Sequence, residues 1–200
     1  MTIDVEASID LLTNPDKFKY RSIADPTIYK SETTLRLTEN YAGTFMRVAD
    51  TLLRAGDYGR AAWLMEKAVE YIPHSTDAIT YLASIYADIG QRDKLQRLME
   101  TSVYADIKPL TALMARLEMR QGNSGAGENI LRQLLQQYPN YRPAPEDLMR
   151  FYFETRRLDD LRSLLRSWVQ RNPDDAEISG LLNNIEKEIR RLDSLKGVNR

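Results

Sequence analysis

The sequence predicts an all-α fold, a right-handed α-solenoid of about four helix-turn-helix repeats closed by a capping helix. The first observation behind this prediction is a recurring period: Gly56 and Gly90 are 34 residues apart, and so are Pro139 and Pro173. The second is that apolar residues recur at helical spacing in two stretches of each period, with a turn between them. The third is that no stretch alternates apolar and polar residues as a strand does.

The N-terminal residues 1–41 lie outside the repeat and are predicted to form a helical extension with an aromatic loop. The segment from Asp4 to Leu12 predicts a short helix that Asn14 and Pro15 end. Ser31 predicts the start of a second helix that continues into the first repeat. Between these helices, the stretch KFKYRSIADPTIY predicts an aromatic-rich loop.

Residues 42–175 hold the four repeats, and residues 176–200 hold the capping helix and tail. In the first repeat the pattern breaks at Gly56, resumes in a second helix and ends at Pro73. In the fourth repeat Arg156 and Arg157 stand in place of the turn glycine, so that turn departs most from the pattern. The capping helix carries one apolar face, formed by Ile178, Leu181, Leu182, Ile185, Ile189 and Leu192.

The repeat pattern resembles the tetratricopeptide repeat family. That family has small residues where helices cross closely, a glycine and an aromatic residue in the turn, and a proline after the second helix. In the first repeat these places are taken by Ala49, Gly56, Tyr58, Ala61, Met65, Ala68 and Pro73. The resemblance implies a non-catalytic scaffold for protein–protein interactions, which binds a polypeptide segment on the concave face lined by the first helix of each repeat.

Equivalent positions on the first helices supply the candidate binding residues. Arg116 and Arg150 are 34 residues apart, so they occupy the same place in adjacent repeats, with an apolar side chain beside each. Earlier repeats carry acidic or hydroxyl side chains on the comparable face. The set is Asp50, Ser84, Asp88, Arg116, Met119, Arg120, Arg150 and Phe153. We expect a groove that is acidic toward its N-terminal end and basic toward its C-terminal end, and that binds a protein or peptide with an acidic segment.

Two alternatives to this groove remain open from the sequence. The arginines are either solvated or paired with the carboxylates of Glu118, Glu146 and Glu154. The second alternative places the binding surface at the aromatic N-terminal loop around Tyr20 and Tyr29.

A second resemblance rests on a short set of residues around that loop. The set is Phe18, Asp25, Pro26, Ile28, Tyr29, Glu32, Thr33, Thr34 and Arg36, followed by Phe45, Arg47, Gly56 and Asp57. It resembles the soluble C-terminal tail of bacterial multi-pass membrane proteins similar to protein O-mannosyltransferases. This resemblance implies an accessory domain of a glycosyltransferase-like protein, tethered to the bacterial inner membrane, whose catalytic machinery lies outside these 200 residues.

Composition argues against several other functions. The chain has 28 Lys and Arg against 29 Asp and Glu, so its net charge of −1 supplies no basic field for nucleic-acid binding. Cysteine is absent, which removes thiol nucleophiles and cysteine metal sites. The single histidine, His74, follows Pro73 and is expected to be a solvated turn residue. The sequence therefore predicts no catalytic residue, no cofactor and no metal site.

Three further motifs have a simpler structural interpretation. The stretch GNSGAG at residues 122–127 lacks the Lys-Ser/Thr of a phosphate loop and predicts an inter-helix turn. The aromatic side chains of Tyr81, Tyr86, Tyr152 and their equivalents are expected in the core rather than in a base-stacking platform. The arginines between 156 and 171 alternate with acids, which favours a solvated helix face over an RNA-binding surface.

Overall fold

The computed structural model describes residues 3–25 and 27–198, and this part of the chain contains helices and no strand. The helices are α1 (Val5–Thr13), α2 (Arg21–Ala24), α3 (Glu32–Arg54), α4 (Tyr58–Tyr71), α5 (Thr76–Asp88), α6 (Arg92–Thr101), α7 (Ile107–Arg120), α8 (Ser124–Gln137), α9 (Pro143–Glu154), α10 (Leu158–Arg171) and α11 (Ala176–Val198). The predicted all-α class and the helix-turn-helix repeat are confirmed. The chain divides into two compact units, residues 1–127 and 128–200.

The N-terminal extension follows the sequence prediction with one difference. The Asp4 carboxylate caps α1 by accepting a hydrogen bond from the Ala7 amide, and Ser31 caps α3 in the same way. The expected loop between them contains the single helical turn α2, which the sequence did not predict. Within the first unit, α1 packs against α3 and α2 packs against α4, so the extension covers the first helix pair.

The first unit is built from neighbouring helices that bury their apolar faces against each other. Helix α3 packs on α4 and α5, and α5 packs on α6 and α7. The side chains that fill this core are fully buried: Phe45, Leu64, Met65, Ile79, Ile85, Leu95, Leu110 and Leu117. Burial of such large apolar side chains contributes roughly 1.5–3 kcal/mol each to stability. Because neighbouring helices provide this burial, each helix pair depends on the adjacent pair for its stability.

The turns between paired helices repeat one backbone conformation. Gly56, Gly90 and Gly122 have φ angles of 80°, 76° and 88°, a left-handed region that favours glycine. Arg156 occupies the corresponding place in the fourth repeat with a φ of 59°. The Asp57 amide donates to the Leu52 carbonyl at 2.9 Å, and the Arg157 amide donates to the Tyr152 carbonyl at 2.8 Å. The turn is therefore the same with or without glycine, and the prediction that the three glycines lie in turns is confirmed.

Gly127 lies where α8 crosses α7 most closely. A Cβ atom built on it would lie 2.5 Å from Met119 Cγ and 2.6 Å from the Ala115 carbonyl oxygen. Ala61, the residue at the same place 66 positions earlier, is fully buried in α4. Small residues at this place are required by the approach of two helix backbones, as the family pattern implied.

The second unit packs α10 against both α9 and α11. Its buried side chains include Leu148, Tyr152, Leu161, Leu165 and Trp168. The Asp175 carboxylate accepts a hydrogen bond from the Trp168 indole at 3.0 Å and another from the Ile178 amide at 3.2 Å, which caps α11. In α11 the side chains of Ile178 and Ile185 are buried, whereas that of Leu181 is 37% exposed, so only part of the predicted apolar face is covered.

Candidate peptide-binding surface

The predicted binding residues all lie on the first helix of a pair. Asp50 is on α3, and Ser84 and Asp88 are on α5. Helix α7 carries Arg116, Met119 and Arg120. These belong to the first unit, whereas Arg150 and Phe153 are on α9 in the second unit. The repeat period therefore assigned each residue to the correct helix.

Asp50 forms an ion pair within its own helix, α3, and lies near Tyr81 of α5. Its carboxylate lies 2.7 Å from the guanidinium of Arg54, one helical turn later. Burial raises the pKa of the nearby Tyr81 phenol, and the Asp50 carboxylate acts in the same direction. Tyr81, which the sequence analysis assigned to the core, is thus a half-buried residue beside this charged pair. The partial exposure of Tyr81 was not predicted, because a tyrosine at helical spacing usually packs in the core.

Asp88 and Arg120 pair with each other across two helices. The Arg120 Nη1 atom lies 2.9 Å from Asp88 Oδ1, and its Nη2 atom donates to the Ala87 carbonyl at 3.0 Å. Both side chains are about half exposed. The expected separation of an acidic end from a basic end therefore does not hold for these two residues, because they neutralise each other on adjacent helices.

The other members of the set on α5 and α7 are partly buried. The Ser84 hydroxyl donates to the Tyr81 carbonyl at 2.7 Å and stays within its own helix. Arg116 is half-buried and interacts with a neighbouring group. Met119 is also half-buried, and its Cγ lies close to Gly127. Met119 therefore contributes to helix packing as well as to the surface.

In the second unit, the candidate residues Arg150 and Phe153 are both exposed. Both lie on α9, three residues apart, and the Phe153 ring is 55% exposed. Arg150 is exposed, and among the residues that the structure describes it has no ion-pair or hydrogen-bond partner. A guanidinium beside an exposed aromatic ring can bind a carboxylate and an apolar side chain of the same ligand.

Of the acids proposed as alternative partners for these arginines, Glu118 and Glu146 pair with other arginines. The Glu118 carboxylate accepts a hydrogen bond from Arg92 Nε at 2.5 Å, which lowers its pKa, and a second from Asn123. Glu146 lies 2.8 Å from Arg142. Arg120 is thus a paired arginine of the set, and its partner is Asp88, a residue that the alternative did not name.

His74 lies in the turn between α4 and α5, as expected, but it is not fully solvated. It is half-buried, and its Nε2 atom lies 2.6 Å from the Thr38 hydroxyl of α3. Burial lowers the pKa of the imidazole below its ordinary value of 6.5, so the ring is neutral at pH 7. The expectation of a solvated side chain failed because its partner lies 36 residues away in the sequence.

The aromatic N-terminal loop separates into a buried part and an exposed part. Tyr20 is only 6% exposed and stacks on Tyr71 with ring centroids 4.7 Å apart. Burial raises the pKa of the Tyr20 phenol to about 12. Tyr29, in contrast, is 90% exposed. The loop as a whole is therefore not one binding surface, since Tyr20 belongs to the core.

The remaining arginines serve mainly as structural partners. Arg157 forms a two-point interaction with Glu128, and Arg166 pairs with Glu186 at 2.6 Å. Trp63 on α4 is 41% exposed, although aromatic side chains of the repeats were expected in the core.

Among the described residues, no group of three or more acidic, histidine or cysteine side chains is arranged to hold a metal ion. Within the same residues, no helix has the length and apolar character needed to cross a bilayer.

Comparison with known proteins gives two findings. Residues 118–185 match the sequence profile TPR_19, described as a tetratricopeptide repeat. A solved structure, that of YrrB, described as a TPR protein with an unusual peptide-binding site, aligns with 80% of this chain and 84% of its own chain, at 15% identity and a TM-score of 0.41. No curated protein matches the sequence. These comparisons lend no support to the resemblance with the membrane-protein tail.

Proposed function

We propose that this chain is a tetratricopeptide-repeat protein, a non-catalytic scaffold that binds an extended polypeptide segment along the first helices of its repeats. The fold supports a role in protein–protein interaction in general. The finer proposal is that the segment carries a carboxylate next to an apolar side chain. The observation that carries it is the exposed pair of Arg150 and Phe153 on α9.

The charge pattern of the first unit supports the same kind of ligand. On α3, α5 and α7 the surface presents alternating acidic and basic side chains, among them the Asp50–Arg54 and Asp88–Arg120 pairs. Such pairs on a solvated surface are worth only about 0–1 kcal/mol each, so a ligand can exchange one partner for its own charged group at small cost. The groove then binds by charge-assisted hydrogen bonds, and its affinity falls as salt rises.

A peptide selection tests this proposal. Random peptides displayed on phage are selected against the intact chain, and the enriched peptides are synthesised and titrated calorimetrically. We expect enriched peptides with Asp or Glu next to an apolar residue, and at least a tenfold loss of affinity, about 1.4 kcal/mol, in the double variant Arg116→Glu and Arg150→Glu. Phe153→Ser should weaken binding without changing the salt dependence.

The matched control is Arg97→Glu. Arg97 is an exposed arginine on α6, the second helix of its pair, so a general charge effect would act there as well. Each Arg→Glu substitution changes the net charge by −2, so a free-energy loss in the control of half that in the double variant would assign the effect to net charge. If the double variant binds as tightly as the parent and has the same melting curve, the first-helix face is not the binding surface.

A further inference from the structure

A second surface, at the N-terminal edge of the first unit, encloses a pocket of about 480 Å³. Its lining comes from α2, the loop before α3, the start of α3, the turn between α4 and α5, and the turn between α6 and α7. Its apolar lining includes Ile23, Ile28, Tyr29, Leu35, Pro73 and Tyr104. The volume lies within the roughly 300–1,000 Å³ that is typical of ligand pockets. None of these residues belongs to the first-helix surface described above.

Several of the apolar side chains that line the pocket are exposed to solvent, and so is Val103, which precedes Tyr104. The side chains of Tyr29 and Val103 are each 90% exposed, Tyr104 is 52% exposed and Ile28 is 45% exposed. A ligand confined to the pocket would leave most of this surface in water. Contiguous exposed apolar surface of this kind marks a site of contact with another polypeptide, and a segment longer than one side chain is needed to cover it.

One cation lies at the pocket. Lys30 is held in place by two backbone carbonyls, since its Nζ atom donates to Asp25 O at 2.5 Å and to Ile28 O at 3.0 Å. An ammonium group has three protons to donate, so one remains for a ligand. The fixed position lowers the entropy that Lys30 loses when a carboxylate binds.

No carboxylate-bearing residue lines the pocket. Outside the lining, the Asp25 carboxylate has a lowered pKa, first because of its hydrogen bonds from Thr27 and also because the charge of the nearby lysine acts on it. The Asp25 carboxylate accepts from the amide and the hydroxyl of Thr27, at 2.9 and 2.7 Å. The Glu39 carboxylate accepts from the Ser75 hydroxyl at 2.6 Å and does not line the pocket. His74, which does line it, is neutral at pH 7 because burial lowers its pKa. The lining is therefore apolar with a single positive charge.

We propose that this pocket binds an extended protein segment in which an aromatic or branched apolar side chain is followed by a carboxylate. The apolar side chain enters between Tyr29 and Tyr104, where both rings are available for contact. The carboxylate accepts the remaining proton of Lys30 in a charge-assisted hydrogen bond. The site does not depend on the first-helix groove, and the two can be occupied by different segments.

The test uses a defined peptide, acetyl-Ser-Leu-Phe-Asp-Ser-amide, and the intact chain labelled with ¹⁵N for NMR. We expect saturable shifts of the amide signals of Tyr29, Lys30, Val103 and Tyr104 at millimolar peptide. Replacement of the peptide's Asp by Asn, or of its Phe by Ser, should weaken binding at least fivefold. Lys30→Gln should weaken binding of the Asp peptide and leave binding of the Asn peptide unchanged.

Matched control variants separate this site from general effects. Tyr104→Ser should abolish the shifts, whereas Tyr58→Ser should not, because Tyr58 is a similarly exposed tyrosine (46%) on α4 outside the pocket. Lys187→Gln on α11 is the control for loss of one positive charge. The proposal is wrong if no saturable shift occurs, if the shifts fall on the first-helix surface instead, or if the Asp and Asn peptides bind equally.

Discussion

The close approach at Gly127 gives the sharpest test of the packing. In Gly127→Ala, the new Cβ would lie 2.6 Å from the Ala115 carbonyl oxygen, a backbone atom that cannot move without shifting α7. The Met119 Cγ atom, at 2.5 Å, would have to move as well. Overpacking of this kind costs about 1–3 kcal/mol. Glycine in a helix interior is also less favourable than alanine by roughly 0.5–1 kcal/mol, so the net effect is a destabilisation of about 0–2.5 kcal/mol.

Gly125→Ala, in the same helix, separates the two contributions. A Cβ on Gly125 meets no atom within 4 Å, so this variant should gain the propensity term without a clash. Urea unfolding followed by circular dichroism at 222 nm gives both free energies of unfolding. We expect Gly125→Ala to be more stable than the parent and the two variants to differ by about 1–3 kcal/mol. If Gly127→Ala is as stable as Gly125→Ala, the helices do not approach as closely as described.

Three more changes test the turns, the buried charge and the register. Arg156→Gly should raise the melting temperature. Relief of the left-handed strain contributes about 1–2 kcal/mol, which exceeds the entropic cost of ordering a glycine, about 0.5–1 kcal/mol. An unchanged or lower melting temperature would mean that Arg156 is not strained. Glu118→Gln should lose about 1.5–3 kcal/mol at pH 7, the usual worth of a hydrogen bond to a charged group. The Arg92 hydrogen bond lowers the pKa of Glu118, so this stabilisation is present above the ordinary pKa of 4.5 and is lost as the pH falls below it. Urea unfolding at pH 7 and pH 4 should therefore show that the variant and the parent differ less in free energy of unfolding at pH 4. Ala61→Trp should lose at least about 3 kcal/mol, the upper end for overpacking, because Ala61 is fully buried, and an unchanged melting temperature would place Ala61 outside the helix crossing.

Helix starts, turns and the helix on which a residue lies could be predicted from the sequence, because they depend on local signals and on the repeat period. The short first helix, the start of α3 at Ser31, the turn glycines and the assignment of each candidate residue to a first helix all follow from such signals. Side-chain pairing between helices does not. Asp88 and Arg120 are 32 residues apart, and nothing in a 34-residue period says that their side chains point toward each other.

Equivalent positions in different repeats also differ in environment. Met119 and Phe153 occupy the same place, yet Met119 is half-buried beside Gly127 while Phe153 is 55% exposed. The period gives the position of a residue on its helix, and the neighbouring helix decides how much of the side chain reaches solvent. This is why the period alone overestimates the uniformity of the candidate groove.

The fourth turn shows how a repeat tolerates loss of its glycine. Arg156 holds the left-handed conformation, and the next residue, Arg157, forms ion pairs with two acids. Arg157 donates to both carboxylate oxygens of Glu128, at 2.6 and 3.2 Å, and to Asp160 at 2.7 Å. Burial alone would raise the pKa of Glu128, but the hydrogen bonds from Arg157 and Tyr152 outweigh burial and lower it. Because the ionised Glu128 ties the start of α10 to α8, the strain at Arg156 is confined to one residue and the helix pair keeps its geometry.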